Sequence, residues 1–178
     1  MKKTSKKAKH ISILLMLVFI PLHINCILAS NDSPYVTTQE GEGRFTLFTS
    51  GKSAPLWISG QDYPGVLRVL KLLQKDISRV SGTMPVLLID TIPESKEMVL
   101  VGTLGKSPLI DNLVKNKKLD IDDLAGKWES CLIQVIEKPS AKVERALIIV
   151  GSDKRGTIYG LFDLAEKIGV SPWYWWAD

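Results

Sequence analysis

The sequence contains very little cysteine and histidine, and this scarcity excludes several classes of site. Its two cysteines are Cys26 and Cys131, and its two histidines are His10 and His23. Residues 31–178 therefore contain a single cysteine and no histidine. This excludes an intramolecular disulfide, a Ser-His-Asp or Cys-His catalytic arrangement and the commonest zinc ligand from that part of the chain. We expect no metal and no cofactor.

A surplus of positive charge is also missing once the charges are located. The 178-residue chain has 23 Lys and Arg against 19 Asp and Glu, but five of the lysines lie among the first nine residues. Residues 31–178 therefore carry 18 basic and 19 acidic side chains, which is a net charge of −1. This balance removes the main support for nucleic-acid binding or general polyanion binding.

The N-terminal segment has the organisation of a secretory signal peptide. Its lysines precede an apolar run at residues 11–22, and the small residues Ala29 and Ser30 follow. We predict a signal peptide over residues 1–30 because this order is typical of one. The apolar run is shorter than the roughly 20 residues that a membrane-spanning helix needs. An uncleaved anchor and lipid modification at Cys26 are the alternatives. We expect a bacterial protein exported to the periplasm, the cell surface or the medium, with no membrane attachment after cleavage.

The remainder of the chain is predicted to hold one domain. Residues 31–43 are rich in turn formers and are interpreted as a flexible lead-in to a domain over residues 44–178. Apolar runs predict the order strand, strand, helix, strand, strand, weak helix, strand, strand, helix. The strands are expected at residues 45–48, 56–58, 85–89, 98–101, 128–136 and 146–150. Adjacent strand pairs favour an α+β fold, in which helices pack on a mixed sheet, over a doubly wound Rossmann core.

Residues 62–82 have the clear pattern of an amphipathic helix and its two ends. Asp62 is predicted to cap the helix, Pro64 suits its first turn and Gly82 suits its end. A second amphipathic pattern, near the end of the chain, stops at Gly169. Separately, the lysine-rich residues 115–118 are interpreted as a solvated surface. The first helix is expected to bury a stripe formed by Val66, Leu70, Leu73, Ile77 and Val80.

A turn bounded by Gly151 and Gly156 connects a buried strand to the last helix. Such a turn directs backbone amides at any ligand above it. The lysine that a phosphate loop needs after its second glycine is absent, so nucleotide or phosphate binding is the weaker hypothesis here. We interpret the segment as a tight turn with Asp153 capping the helix. Cys131 lies in an apolar strand pattern, and we predict a buried small side chain rather than a nucleophile.

Four aromatic residues, Trp173, Tyr174, Trp175 and Trp176, are consecutive near the end of the sequence. Aromatic side chains at this density need to be covered. We therefore predict that they form a domain interface, and we expect the natural polypeptide to continue past Asp178. The alternative is a free-standing extracytoplasmic carbohydrate-binding module in which these rings stack on sugars.

Two segments of the sequence are distinctive: residues 101–111, VGTLGKSPLID, and residues 151–178, GSDKRGTIYGLFDLAEKIGVSPWYWWAD. Both resemble the N-terminal domain of glycoside hydrolase family 115, the xylan α-glucuronidases. The resemblance implies a non-catalytic α/β layer, similar to the N-terminal domain of β-hexosaminidases, that precedes a (β/α)₈ barrel absent from this chain. Residues 170–178 would begin the connection to that barrel.

The same resemblance implies an activity for the complete enzyme. Such an enzyme removes glucuronic acid or its 4-O-methyl ether from the side chains of glucuronoxylan, with inversion. No catalytic residue is assigned in this chain, because the catalytic carboxylates of the family belong to the barrel. Lys154 and Arg155 are candidates for binding a uronate carboxylate, for which Arg offers two parallel donors.

Overall fold

A computed structural model describes residues 35–39, 41–49 and 51–171. The predicted signal peptide with Cys26, and the aromatic cluster Trp173, Tyr174, Trp175 and Trp176, lie outside the described residues. Within these ranges, no helix has the length and hydrophobicity that a membrane crossing requires.

The described residues form seven strands and three helices. In chain order these are β1 (Phe48–Thr49), β2 (Lys52–Ser53), β3 (Leu56–Ile58), α1 (Pro64–Ser81), β4 (Leu87–Ile89), β5 (Ser95–Thr103), α2 (Pro108–Lys115), β6 (Cys131–Ser140), β7 (Val143–Gly151) and α3 (Lys154–Lys167).

The main sheet is mixed, which confirms the predicted α+β fold. Its strand order is β4-β3-β5-β7-β6, in which the first four strands are parallel and β6 is antiparallel to β7. The short strands β1 and β2 form a separate antiparallel pair. The strands predicted near residues 85–89 and 98–101 are both present, but β3 lies between them and β4 is an edge strand. Two pairs of consecutive strands are neighbours in this sheet: β3 and β4 pair in parallel, and β6 and β7 pair antiparallel.

Helices cover both faces of the sheet, so both sides of the central strands are buried and their residues are apolar. Val99 and Val101 of β5 pack on the face that α1 and α3 cover, whereas Met98 and Leu100 pack on the face of α2. Strands that are buried on both faces have continuous apolar sequences rather than alternating ones. This is why the sequence shows short apolar runs at β5 and β7.

The ends of α1 agree only in part with the sequence pattern. Pro64 occupies the first turn, and Gly82 takes the left-handed conformation at φ 74°, which favours glycine, while its amide donates to the Ser78 carbonyl at 2.8 Å. Val80 is 51% exposed in the last turn, so the buried stripe ends earlier than predicted. The predicted cap by Asp62 is wrong, because the helix begins after Tyr63 without a side-chain cap.

Asp62 instead connects three elements through a buried hydrogen-bond network. Its carboxylate accepts the Thr103 amide at 2.7 Å and the Thr103 hydroxyl at 2.9 Å. The Thr157 hydroxyl lies 2.8 Å from that of Thr103. Because a carboxylate only accepts, the single hydroxyl hydrogen of Thr103 is used on Asp62, and the single hydroxyl hydrogen of Thr157 is shared between Thr103 and the Asp153 carbonyl oxygen at 3.0 Å. The network joins the loop before α1, the end of β5 and the first turn of α3.

We expect Asp62→Asn to lower the free energy of unfolding by about 2 kcal/mol, because the amide nitrogen that replaces one carboxylate oxygen cannot accept one of the two hydrogen bonds that Thr103 donates. Urea denaturation at neutral pH measures the change. Asp123→Asn is the matched control: Asp123 is fully exposed and forms only a 3.5 Å surface ion pair with Lys127, so its loss should leave the unfolding midpoint almost unchanged. Equal unfolding midpoints for the two variants would contradict the role given to Asp62.

Candidate functional site

The carboxyl ends of β3, β5 and β7 meet at one edge of the sheet, which we call the carboxyl edge. The register of these parallel strands places Ile58 beside Val101, and Thr103 beside Gly151. Ligands of open parallel sheets bind outside this edge. The carboxyl edge, with the turn that follows Gly151, is therefore the candidate functional site.

Asp153 closes the turn and caps α3, as predicted. One carboxylate oxygen accepts the Gly156 amide at 2.8 Å, and the other accepts the Glu129 amide at 2.9 Å. These backbone hydrogen bonds hold the pKa of the Asp153 carboxyl below its usual value. They favour the ionised form, so they stabilise the fold above pH about 4, and the contribution is lost as the pH falls through the lowered folded-state pKa.

Residues 128–130 cover the first turn of α3. The Ser152 amide donates to the Ser130 carbonyl at 2.9 Å, and the Ser130 amide donates to the Ser152 hydroxyl at 3.1 Å. A Cβ on Gly156 would lie only 2.1 Å from the Ser130 carbonyl oxygen. The amides of Ser152 and Gly156 therefore bond within the domain and are not presented to a phosphate group.

This covering loop also corrects the predicted strand over residues 128–136. Strand β6 begins at Cys131, and Trp128 is 87% exposed. The chain leaves the sheet before Cys131 because Glu129 and Ser130 bond to the start of α3 instead of to β7.

The two predicted uronate-binding cations extend toward different neighbours. Arg155 forms an ion pair with Glu129, whose second oxygen accepts the Tyr159 hydroxyl at 3.3 Å. Lys154 extends over α1, where its δ-carbon lies 3.9 Å from the position that a Cβ on Gly65 would occupy. Both cations are exposed, but only Arg155 has a carboxylate partner among the described residues.

The sequence analysis missed the other polar residues of the carboxyl edge. Thr103 and Thr157 are buried in the Asp62 network, and the Lys106 ammonium lies 5.2 Å from the centre of the Tyr63 ring. Thr103 follows the buried run of β5 directly, and a polar residue at the end of a buried strand is the signal that would have indicated it.

Cys131 is exposed, so its predicted burial is wrong. It opens β6 at the edge of the sheet, where only one side is covered. Neighbouring atoms still desolvate the thiol, and with the nearby Asp163 they raise its pKa, so the thiol stays protonated at neutral pH. Asp163 accepts the Tyr35 hydroxyl at 2.7 Å, and burial together with this carboxylate raises the pKa of Tyr35. Both the Cys131 thiol and the Tyr35 hydroxyl therefore keep their protons at neutral pH.

Within the described ranges, no three His, Cys, Asp or Glu side chains come together as possible metal ligands. Asp62, Asp90, Asp111 and Asp153 at the carboxyl edge each accept a hydrogen bond from a backbone amide. The arrangement can hold elements together and can present Lys154 and Lys106 to an anion.

We expect Gly156→Ala to lower the free energy of unfolding by about 2 kcal/mol, because the new methyl group would overlap the Ser130 carbonyl. The clash opposes the helix propensity of Ala, which by itself favours the substitution by about 1 kcal/mol. Gly65→Ala is the matched control, since its Cβ would meet no atom nearer than 3.9 Å. It should leave stability unchanged or raise it by up to about 1 kcal/mol. Chemical denaturation of both variants tests this, and similar shifts would refute the close approach at Gly156.

Comparisons with known proteins show that this fold is similar to part of an enzyme of known structure. No family model matches the chain, and no curated protein matches it. Among solved structures, the chain is similar to BtGH115A, described as a family GH115 4-O-methyl-α-glucuronidase with specificity for decorated arabinogalactans. The sequence identity is 32%, the TM-score is 0.53, and the match covers 71% of this chain and 15% of that protein. The fold of this chain is therefore related to part of a family GH115 glycoside hydrolase.

Proposed function

We propose that the chain is the N-terminal accessory domain of a secreted glycoside hydrolase that removes glucuronic acid or its 4-O-methyl ether from xylan side chains by inverting hydrolysis. The observation that carries this proposal is the 32% identity to a GH115 glucuronidase over 71% of the chain. Because the match covers 15% of that enzyme, the reaction itself is assigned to a barrel outside this chain. The choice of xylan rests on the sequence resemblance, since the neighbour is described for decorated arabinogalactans.

The state of the carboxylates supports a non-catalytic role. Inverting glycosidases use two carboxyl groups, one as acid and one as base, on either side of the bond that breaks. Asp62 is 9% exposed and accepts hydrogen bonds from Thr103, and Asp153 accepts two backbone amides. Neither is available as an acid or base without loss of the fold's own hydrogen bonds.

The exposed aromatic residues of α3 support contact with another domain. Tyr159 and Phe162 are each 45% exposed on this helix, and Trp128 lies in the loop to which Tyr159 bonds through Glu129. Exposed apolar patches are typical of surfaces that another protein or domain covers. We assign this patch, together with Trp173, Tyr174, Trp175 and Trp176, to the interface with the catalytic barrel.

The test compares this chain with the product of the complete reading frame on glucuronoxylan, by chromatography of the released uronic acid. The longer product should release 4-O-methylglucuronic acid, and the 178-residue chain alone should release none. Release by the short chain, or none by the longer product, would overturn the proposal. If the short chain alone binds xylan and loses binding when Trp173, Trp175 and Trp176 are changed to Ala, the carbohydrate-binding alternative is correct.

Within this proposal, Lys154 binds the uronate carboxylate more strongly than Arg155, because the charge of Arg155 is already balanced by Glu129. We expect Lys154→Ala to raise the KM of the longer enzyme by about five- to tenfold with kcat unchanged, and Arg155→Ala to raise it less. Steady-state kinetics on aldouronic oligosaccharides measures both. Lys167→Ala, at the far end of α3, is the control; an unchanged KM in all three variants would remove both cations from substrate binding.

A further inference from the structure

Lysine side chains line an open groove at the edge of the sheet opposite the candidate functional site. The groove lies where β5 and β7 begin, and its volume is about 820 Å³. Two glutamates, Glu94 and Glu144, also line it, so its walls carry an excess of two positive charges. The lysines are Lys96, Lys118, Lys138 and Lys142.

This positive charge is local, because residues 31–178 together carry a net charge of −1. Lys96, Lys138 and Lys142 form no ion pair with any described residue. The four lysines outnumber Glu94 and Glu144 in the groove, so their positive charges repel one another, and an anion in the groove would relieve that repulsion. The charge distribution therefore favours an anionic ligand.

The backbone around Lys138 builds one wall of the groove. The register between β6 and β7 shifts between Glu137 and Ser140, and Lys138 takes the left-handed conformation at φ 47°. That conformation is disfavoured for a residue with a side chain. The Lys138 carbonyl accepts the Lys118 ammonium at 2.9 Å, which joins the segment after α2 to this irregularity. Irregularities of this kind redirect side chains and are retained where they serve a purpose.

We propose that this groove binds a carboxylate-bearing polysaccharide; the choice of a glucuronate-decorated glycan rests on the proposed function. A lysine ammonium is a compact charge on a flexible stem, so it suits carboxylates that recur along a polymer without one fixed geometry. The groove is within the size range of pockets that hold small organic ligands, and Ser95 and Ser140 add hydroxyl groups to its walls. None of its lining residues is aromatic, so neither a sugar ring nor a nucleic-acid base could stack there, and a ligand would be held by its charge and its hydroxyl groups.

The groove and the carboxyl edge lie at opposite ends of β5 and β7, so a ligand in the groove does not occupy the candidate functional site. Ser95 and Val143 form the first pair of β5 and β7, whereas Lys154 follows the last pair, Thr103 and Gly151. A glycan in the groove therefore leaves the carboxyl edge open. The groove would hold the acidic polymer while another domain acts on it.

The experiment measures binding of linear oligoglucuronate to the purified protein by isothermal titration calorimetry at low salt. The neutral partner ligand is the same oligosaccharide after reduction of its carboxyl groups to alcohols. We expect the acidic ligand to bind, the reduced ligand not to bind, and Lys96→Gln/Lys142→Gln to weaken binding at least about fivefold. Lys71→Gln/Lys75→Gln removes two exposed charges from α1 and is the matched control, which should bind as tightly as the unmodified protein.

Three results would overturn the proposal: equal binding of the acidic and reduced ligands, equal weakening in the two double variants, or tighter binding of single-stranded DNA of the same charge. The outcome is independent of the glucuronidase assay. Groove-dependent binding in a protein whose complete form lacks glucuronidase activity would overturn the proposed function alone, and an active enzyme with no such binding would overturn this inference alone.

Discussion

The carboxylate of Asp62 is the group on which the carboxyl edge of this sheet depends. It lies in the loop before α1, yet it accepts both the amide and the hydroxyl of Thr103 at the end of β5. Thr103 in turn lies 2.8 Å from Thr157 in the first turn of α3. Each buried donor left without an acceptor would cost roughly 1–3 kcal/mol, so one carboxylate fixes the relative positions of two helices and a central strand.

The hydrogen bonds around the start of α3 determine which groups the carboxyl edge presents to a ligand. Parallel sheets bind ligands at this edge mainly through backbone amides at the starts of helices. Here Asp153 and the loop at residues 128–130 satisfy those groups within the domain, and Gly156 is retained because the loop approaches its backbone closely. Any recognition at this edge therefore comes from side chains, among which Lys106, Lys154 and Arg155 are exposed cations.

The sequence predicted local features well and long-range ones poorly, for a physical reason. The spacing of apolar residues and the position of Gly82 identified α1, because both signals lie within the helix itself. The role of Asp62 depends on a partner 41 residues away, and a nearby helix start offered a plausible local alternative that proved wrong. Strand order was equally hidden, since nothing in β4 or β5 records that β3 lies between them.

The composition gives no sign of the lysine groove, because the residues that form it are far apart in the sequence. Lys96 and Lys138 are 42 positions apart, so their shared groove cannot be recognised in a sequence whose total charge is near zero. A domain with almost no net charge has little long-range attraction for a polyanion. Salt also screens the charges of the groove itself beyond about 8–10 Å at physiological ionic strength. Recognition in the groove would then act only at contact and be weak at any one uronate. A polymer that carries many uronates compensates for this weakness. When one uronate leaves the groove, a neighbouring uronate of the same polymer is present at high effective concentration and binds in its place. A cationic groove on a nearly neutral domain thus suits a long acidic polysaccharide better than a single small anion.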